Sequence, residues 1–296
     1  FCLITQNIEP IFKLSLKPKN LVSISAFIPC FNHWDTICTA VQSIKNQSLI
    51  VKEILIIDDG SSISCPHNNL IKDPSIRIIR LDQNRGRGYC RELAFRETGG
   101  DLLLNLDATN SLEENFIKKA LPHFSSSNIA AVSGALISKR QNNAVDRWRA
   151  RHLFRESSLK DAWAEPCSML ITYGTIFIKQ IIEKVGGFDP LLRFKEDQDM
   201  GDRLASAGYQ IIGDPRLEIY PLISNSIPEV LERYSRWYMD TDEKPSWKGY
   251  FHNLKASFRP MMETDLKKGD FASAFISLLA PHFQLYHSIK AQRSKS

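Results

Sequence analysis

The stretch EILIIDDGSS, Glu53 to Ser62, decides how this chain is read. Ile54 to Ile57 form an unbroken apolar run that stops at two aspartates, a glycine and two serines. Such a run, bounded by turn residues, predicts a strand buried on both faces. The polar cluster after it predicts a tight turn at the carboxyl edge of a sheet. The pattern recurs outward in both directions. SISAFIP, Ser23 to Pro29, is a short apolar run closed by proline and followed by Asn32. SIRIIRLD, Ser75 to Asp82, and GDLLLNLDATN, Gly100 to Asn110, are further strand candidates, the last reaching Asp107. Between them Ile37, Val41 and Ile44 keep helical spacing, and Arg87 to Glu97 reads as a helix.

Strands alternating with helices at these intervals predict an α/β fold of Rossmann-like form. Its sheet is mostly parallel, with helices on both faces. Such sheets bind ligands beyond the carboxyl ends of their strands. Asn32, Asp58, Asp59 and Asp107 all fall there.

A second block follows Ser111. LEENFIKKALPHF is helical, AAVSGAL a strand, and Gln141 to Glu156 a loop and helix rich in Arg and Asn. SMLITYGTIFIKQIIEKVGGFD reads as strand, helix and Gly-Gly stop. FKEDQDMGDRLASAGY opens a helix on acidic residues, which its free amides favour, and closes it at Gly208. From Glu229 the chain turns basic and aromatic, and Phe271 to His287 is an apolar helix candidate interrupted by Pro281. The expected organisation is an N-terminal extension over 1–20, the α/β domain over 21–224 and a helical C-terminal appendage over 225–296.

Composition narrows the function classes. With 296 residues, 43% hydrophobic and 24% charged, the chain has the makeup of a globular protein able to bury a core unaided. Its excess of 38 Lys and Arg over 33 Asp and Glu is spread along the sequence, and no nucleic-acid-binding module is present. The six cysteines lack C-x-x-C spacing, which predicts thiols in a reducing, cytoplasmic setting. No run of ~18 apolar residues predicts a transmembrane helix.

The segments FIPCFN, EILIIDDGSS, NRGRGYCRELAFRETGGDLLLNLDAT, GGFD and FKEDQDMGDRLASAGY come in the order and spacing of a known family. Over about Ser23 to Tyr220 the chain resembles inverting family-2 glycosyltransferases of the GT-A fold. The resemblance implies a nucleotide-sugar donor and a glycan or lipid-linked acceptor in cell-surface polysaccharide or glycolipid synthesis. It assigns nucleobase recognition to Asp59, with Pro29 and Asn32 lining the same pocket. A turn-capping role for the two aspartates is the alternative, and Asp58 is read that way. Asn84 and Gly86 are implied donor-site residues. Arg87 and Arg91 either approach the diphosphate or pair with Glu92 or Glu97 on the helix surface.

Asp107 matches the first acid of the family's Asp-x-Asp motif, which binds ribose and holds a divalent cation, Mg2+ or Mn2+, between the phosphates. Here Thr109 stands where the second acid falls. A hydroxyl is a poorer ligand for these cations than a carboxylate. Three readings follow: a weakly held metal at Asp107 helped by water or Asn110, a metal-independent enzyme using arginines, or a catalytically impaired nucleotide- or glycan-binding protein on the same fold. Asp197, in the family's Glu-Asp pair with Glu196, is the implied base, and helix capping is the structural alternative. Gly187 and Gly174 are expected on the acceptor side, Gly174 leaving room for a sugar. RYSRW, with Arg236 and Trp237, resembles the Gln-x-x-Arg-Trp motif of processive members, with Arg233 in place of Gln. The alternative is a basic amphipathic helix that packs Trp237 against the main domain. The helix from Phe271 is also a candidate for peripheral contact with a membrane surface.

Overall fold

The computed structural model describes residues 22–139, 141–159, 164–167, 169–238 and 246–293. The expected extension over 1–20 lies outside them. Among the described residues the strands are β1 Ile24–Cys30, β2 Glu53–Asp58, β3 Ile76–Arg80, β4 Leu102–Leu106, β5 Asn110–Leu112, β6 Ile129–Leu136, β7 Glu165–Cys167, β8 Gly174–Ile178 and β9 Gln210–Pro221. They form one sheet in the order β3-β2-β1-β4-β8-β6-β9-β5, with β7 paired to β9. The half from β3 to β4 is parallel. Beyond β4 the pairs β4–β8, β8–β6, β9–β5 and β9–β7 are antiparallel, a feature the alternating motifs do not predict. The register Cys30↔Asp58 sets the ends of β1 and β2 side by side, and β4 lies on the other side of β1.

Helices Trp34–Lys45 and Arg87–Glu97 fall where the spacing places them. The second is fixed by Phe95, whose ring meets Phe27 of β1, Phe177 of β8 and Phe188 at 5.7, 5.6 and 5.5 Å. All four rings are buried, and losing one such ring costs roughly 3–5 kcal/mol. Arg91 lies one turn before Phe95 and is carried inward by the same packing.

The chain divides into two compact units, the first taking 1–135 and 162–222, the second 136–161 and 223–296. The second unit thus includes a segment that the sequence reading left in the α/β span. The reason is a set of buried polar contacts. Trp148 is fully buried and donates from Nε1 to Ser277 Oγ at 2.8 Å. Arg147 grips Asp270 with two bonds of 2.7 and 2.9 Å, and Arg151 pairs with both Asp265 and Asp270. Pro281 does not interrupt its helix, which runs from Phe271 to Arg293. Ala280, Pro281 and Gln284 are buried there, so packing offsets the ~3 kcal/mol that an interior proline costs.

Candidate active site

The two aspartates that end β2 have different partners. Asp58 accepts from the Ser61 N–H at 2.9 Å and pairs with Arg80 at 2.6 Å, so it caps the turn. Asp59, 5% exposed, accepts from the Arg85 and Gly86 N–H groups at 2.6 and 2.9 Å. Each carboxylate oxygen has a second lone pair, so this leaves acceptor capacity for a ligand. The charge is felt locally: burial first, and then Asp59, push the neighbouring Cys90 thiol well above its ordinary range. Half-buried Pro29 closes β1 against Ile57. Asn32, at φ +58°, bridges the β1 and β2 loops, taking a bond from Ser62 N–H at 2.8 Å and giving one to Ser61 Oγ at 2.9 Å.

The Asn84–Gly88 turn, anchored on Asp59, is also the seat of the loop that precedes Glu196. Arg193 donates to the Asn84 carbonyl at 2.9 Å and to its side-chain oxygen. The Gly88 N–H donates to Leu192 O at 3.1 Å. A Cβ on Gly88 would lie 2.3 and 2.4 Å from the carbonyl oxygens of Leu192 and Asp189. Only glycine admits this approach. Gly187, at φ +72°, faces the Glu92 carboxylate, which accepts from the Phe188 N–H at 2.9 Å.

Arg91 is the centre of the arrangement. It is fully buried, so the surface pairing with Glu92 or Glu97, one of its two readings above, does not hold; those acids meet Arg96 and Arg77 instead. Arg91 donates to Asn105 Oδ1 at 3.0 Å, to Thr172 Oγ1 at 2.7 Å and to Glu196 Oε1. Its Nη2 lies 3.7 Å from Asp107 Oδ1. Glu196 is fully buried, also meets Arg87 at 3.4 Å, and leaves Oε2 without a hydrogen bond among the described residues. One guanidinium therefore joins the end of β4 to the start of the helix Glu196–Ser206. Thr172 is missing from the sequence-based set, and Arg91 figures in it only as a diphosphate or surface-pairing arginine, not as a buried link. An arginine between Cys90 and Glu92 on a helix gives no signal of burial, because its partners lie 14 to 105 residues away.

Asp197, half-buried in the first helical turn, accepts from the Gln198 N–H at 2.9 Å. It follows the residue that shares Arg91 with Asp107. Asp107 is itself part-exposed, its side chain 35% accessible. Asn110, offered above as a metal ligand, is buried and turns its Nδ2 to Tyr173 O at 3.3 Å. Of residues 107–110, one carboxylate is thus left for a cation, already near Arg91, with Thr109 standing where a second acid would be. Among the described residues no three of His, Cys, Asp and Glu gather as a metal site. This donor set does not fit a cation held by the protein alone.

Gly174 is a correction. A Cβ there would lie 2.3 Å from Ile219 Cδ1 of β9, so the space is filled by the core and not open to a sugar. Arg236 pairs with Glu232 at 3.1 Å, and Trp237 sets its ring 6.2 Å from Phe154, all within the second unit. Those contacts lie within Trp237's own unit, whereas the alternative given for RYSRW packed it against the main domain.

Comparison with known proteins shows the family and the fold. The family model described as Glycosyl transferase family 2 matches residues 25–186, more than half of the chain. The chain belongs to that family. An N-acetylglucosaminyltransferase of Bradyrhizobium diazoefficiens is 23% identical over 236 residues, 74% of this chain and 49% of that protein. One from Rhizobium sp. strain N33 is 31% identical over 135 residues, 44% of this chain and 29% of that one. The chain therefore spans half or less of either relative. Among solved structures, GalNAc-T7 with UDP, GalNAc and Mn2+ superposes with a TM-score of 0.56 at 15% identity, covering 81% of this chain and 52% of that one. A mannosyltransferase of Pyrobaculum calidifontis in complex with GDP-Man and Mn2+ gives 0.52 at 13% identity, covering 94% and 76%. Both likenesses show the GT-A fold.

Proposed function

We propose that this chain is an inverting glycosyltransferase that moves a sugar from a nucleoside diphosphate to a hydroxyl of a glycan or lipid-linked acceptor. Its setting is the synthesis of cell-surface polysaccharide or glycolipid, in the cytoplasm. The observation that carries the reading is Arg91, shared between the Asp107 loop and the Glu196-Asp197 pair.

In the reaction, the Asp197 carboxylate takes the proton of the acceptor hydroxyl. The acceptor oxygen then attacks the anomeric carbon from the face opposite the diphosphate. The bond to the diphosphate oxygen breaks, the nucleoside diphosphate leaves with the electron pair, and the anomeric configuration inverts. Asp59, Asn32 and Pro29 receive the nucleobase, which is uridine or guanosine by resemblance. Asp107 meets the ribose. Asn84 and Gly86 hold the turn beside the diphosphate, and the half-exposed Arg87 supplies positive charge there. Arg91 and Glu196 hold Asp197 in line. Arg236 and Trp237 remain acceptor-side residues by resemblance alone.

Titration of UDP and GDP calorimetrically, with and without Mn2+, tests the donor site. One of the two binds at micromolar levels, with affinity changed less than about tenfold by Mn2+, in keeping with Thr109. Absence of binding by both nucleotides in either condition overturns the donor assignment.

A further inference from the structure

Two helices of the second unit, Trp247–Ala256 and Phe271–Arg293, turn an aromatic face outward. On the longer helix Phe271, Phe275, Tyr286 and Ile289 share one side at helical spacing and are 73%, 56%, 59% and 41% exposed. On the shorter one Trp247 and Phe251 are 73% and 61% exposed. Tyr250 and His282 bridge the two sets, their rings 5.8 Å apart. The rings of Trp247, Tyr250 and Phe251 lie 5.6–6.5 Å apart, and Tyr250 Oη meets His282 Nδ1 at 3.0 Å across the helix pair. Singly exposed apolar residues are ordinary, but a contiguous aromatic face marks an interaction surface.

The charges around this face name the partner. Over residues 246–293 the acids are Glu263, Asp265 and Asp270. Asp265 and Asp270 are turned inward onto Arg151 and Arg147, and Glu263 is flanked by Lys267 and Arg259 at 2.8 and 3.7 Å. The exposed Lys248, Lys255, Lys268 and Lys290 have no acidic partner among the described residues. The unit as a whole holds 18 Lys and Arg against 11 Asp and Glu. A second copy would bring like charge to like charge. An anionic surface meets both features at once, because aromatic rings settle at headgroup depth and lysines at anionic headgroups. No described helix is long and apolar enough to cross a membrane, which suits helices lying along a surface.

We propose that this two-helix face docks the protein on an anionic lipid bilayer. The inference stands apart from the catalytic reading. The test is flotation of the full chain with vesicles of phosphatidylcholine alone and of phosphatidylcholine with about one third phosphatidylglycerol. The protein floats with the anionic vesicles, and binding falls steeply when salt is raised. Phe251→Ser with Phe275→Ser, and separately Lys248→Glu with Lys255→Glu, each reduce partition by roughly tenfold or more. Circular dichroism and the melting temperature remain as in the parent, showing that both variants fold. Equal flotation with neutral vesicles, or unchanged flotation of both variants, overturns the proposal. So does a concentration-dependent dimer, seen by light scattering and abolished by the serine pair, because the face then belongs to a second copy.

Discussion

Arg91 ties three segments together through one side chain, so its loss is felt at several distances. Arg91→Met leaves the buried Glu196 carboxylate only the half-exposed Arg87 at 3.4 Å, and breaking such a buried pair costs roughly 3–5 kcal/mol. Adding Glu196→Gln removes the stranded charge and recovers a good part of that loss, which denaturant unfolding of the single and double variants measures. Additive losses would mean that the two groups do not depend on one another. Arg91→Lys keeps the charge but not the planar fork that reaches Asn105, Thr172 and Glu196 together. Its turnover falls about a hundredfold while nucleotide affinity changes less than tenfold, a split that simple destabilisation does not produce. Glu196 was legible as half of a Glu-Asp pair, whereas its buried pairing with Arg91 was not. Side-chain type shows charge, but burial depends on contacts distant in sequence.

At the scale of elements, the helix Arg87–Glu97 and the loop 186–195 are fitted to each other through glycine. Gly88→Ala sets a methyl against two backbone carbonyls that cannot swing aside, so the loop must move and take Glu196 and Asp197 with it. The expected result is a melting temperature lowered by several degrees and transfer lowered tenfold or more. Activity within twofold of the parent would show that the loop position is immaterial. Local pattern made β1 to β4 and their helices readable, since each carries its own run of apolar residues or its own helical spacing. The strand β9 was hidden because Asp214, Pro215, Arg216, Glu218 and Pro221 interrupt it. Its pairing with β5 and β7 overrides these residues' weak strand preference. Gly174 was misread for a similar reason: sequence shows that a side chain is missing, but only the fold shows that Ile219 fills the gap.

For the molecule as a whole, the division into two units depends on charges that the sequence scattered over more than a hundred residues. Asp270 bonds to Arg147 and Arg151, and the bond to Arg147 first of all holds its carboxyl well below the ordinary range. A carboxylate lowered on folding contributes stability above its unfolded value, about 4, and loses it as pH falls toward the folded value. Asp270→Asn therefore destabilises the second unit by about 3 kcal/mol at pH 7, and the penalty shrinks below pH ~4. Thermal melts of parent and variant at the two pH values check this. A penalty independent of pH would mean that the side chain matters only as packing.

The central claim is that Asp197 is the base of a site whose donor residues are Asp59 and Asp107. It is tested most directly by measuring, on one preparation of Asp197→Asn, both nucleotide affinity and release of nucleoside diphosphate from its sugar donor in the presence of acceptor. Affinity within about twofold of the parent, with release lowered by a factor of a hundred or more, is the predicted result. Release at the parental rate, or nucleotide binding lost together with it, would contradict the assignment.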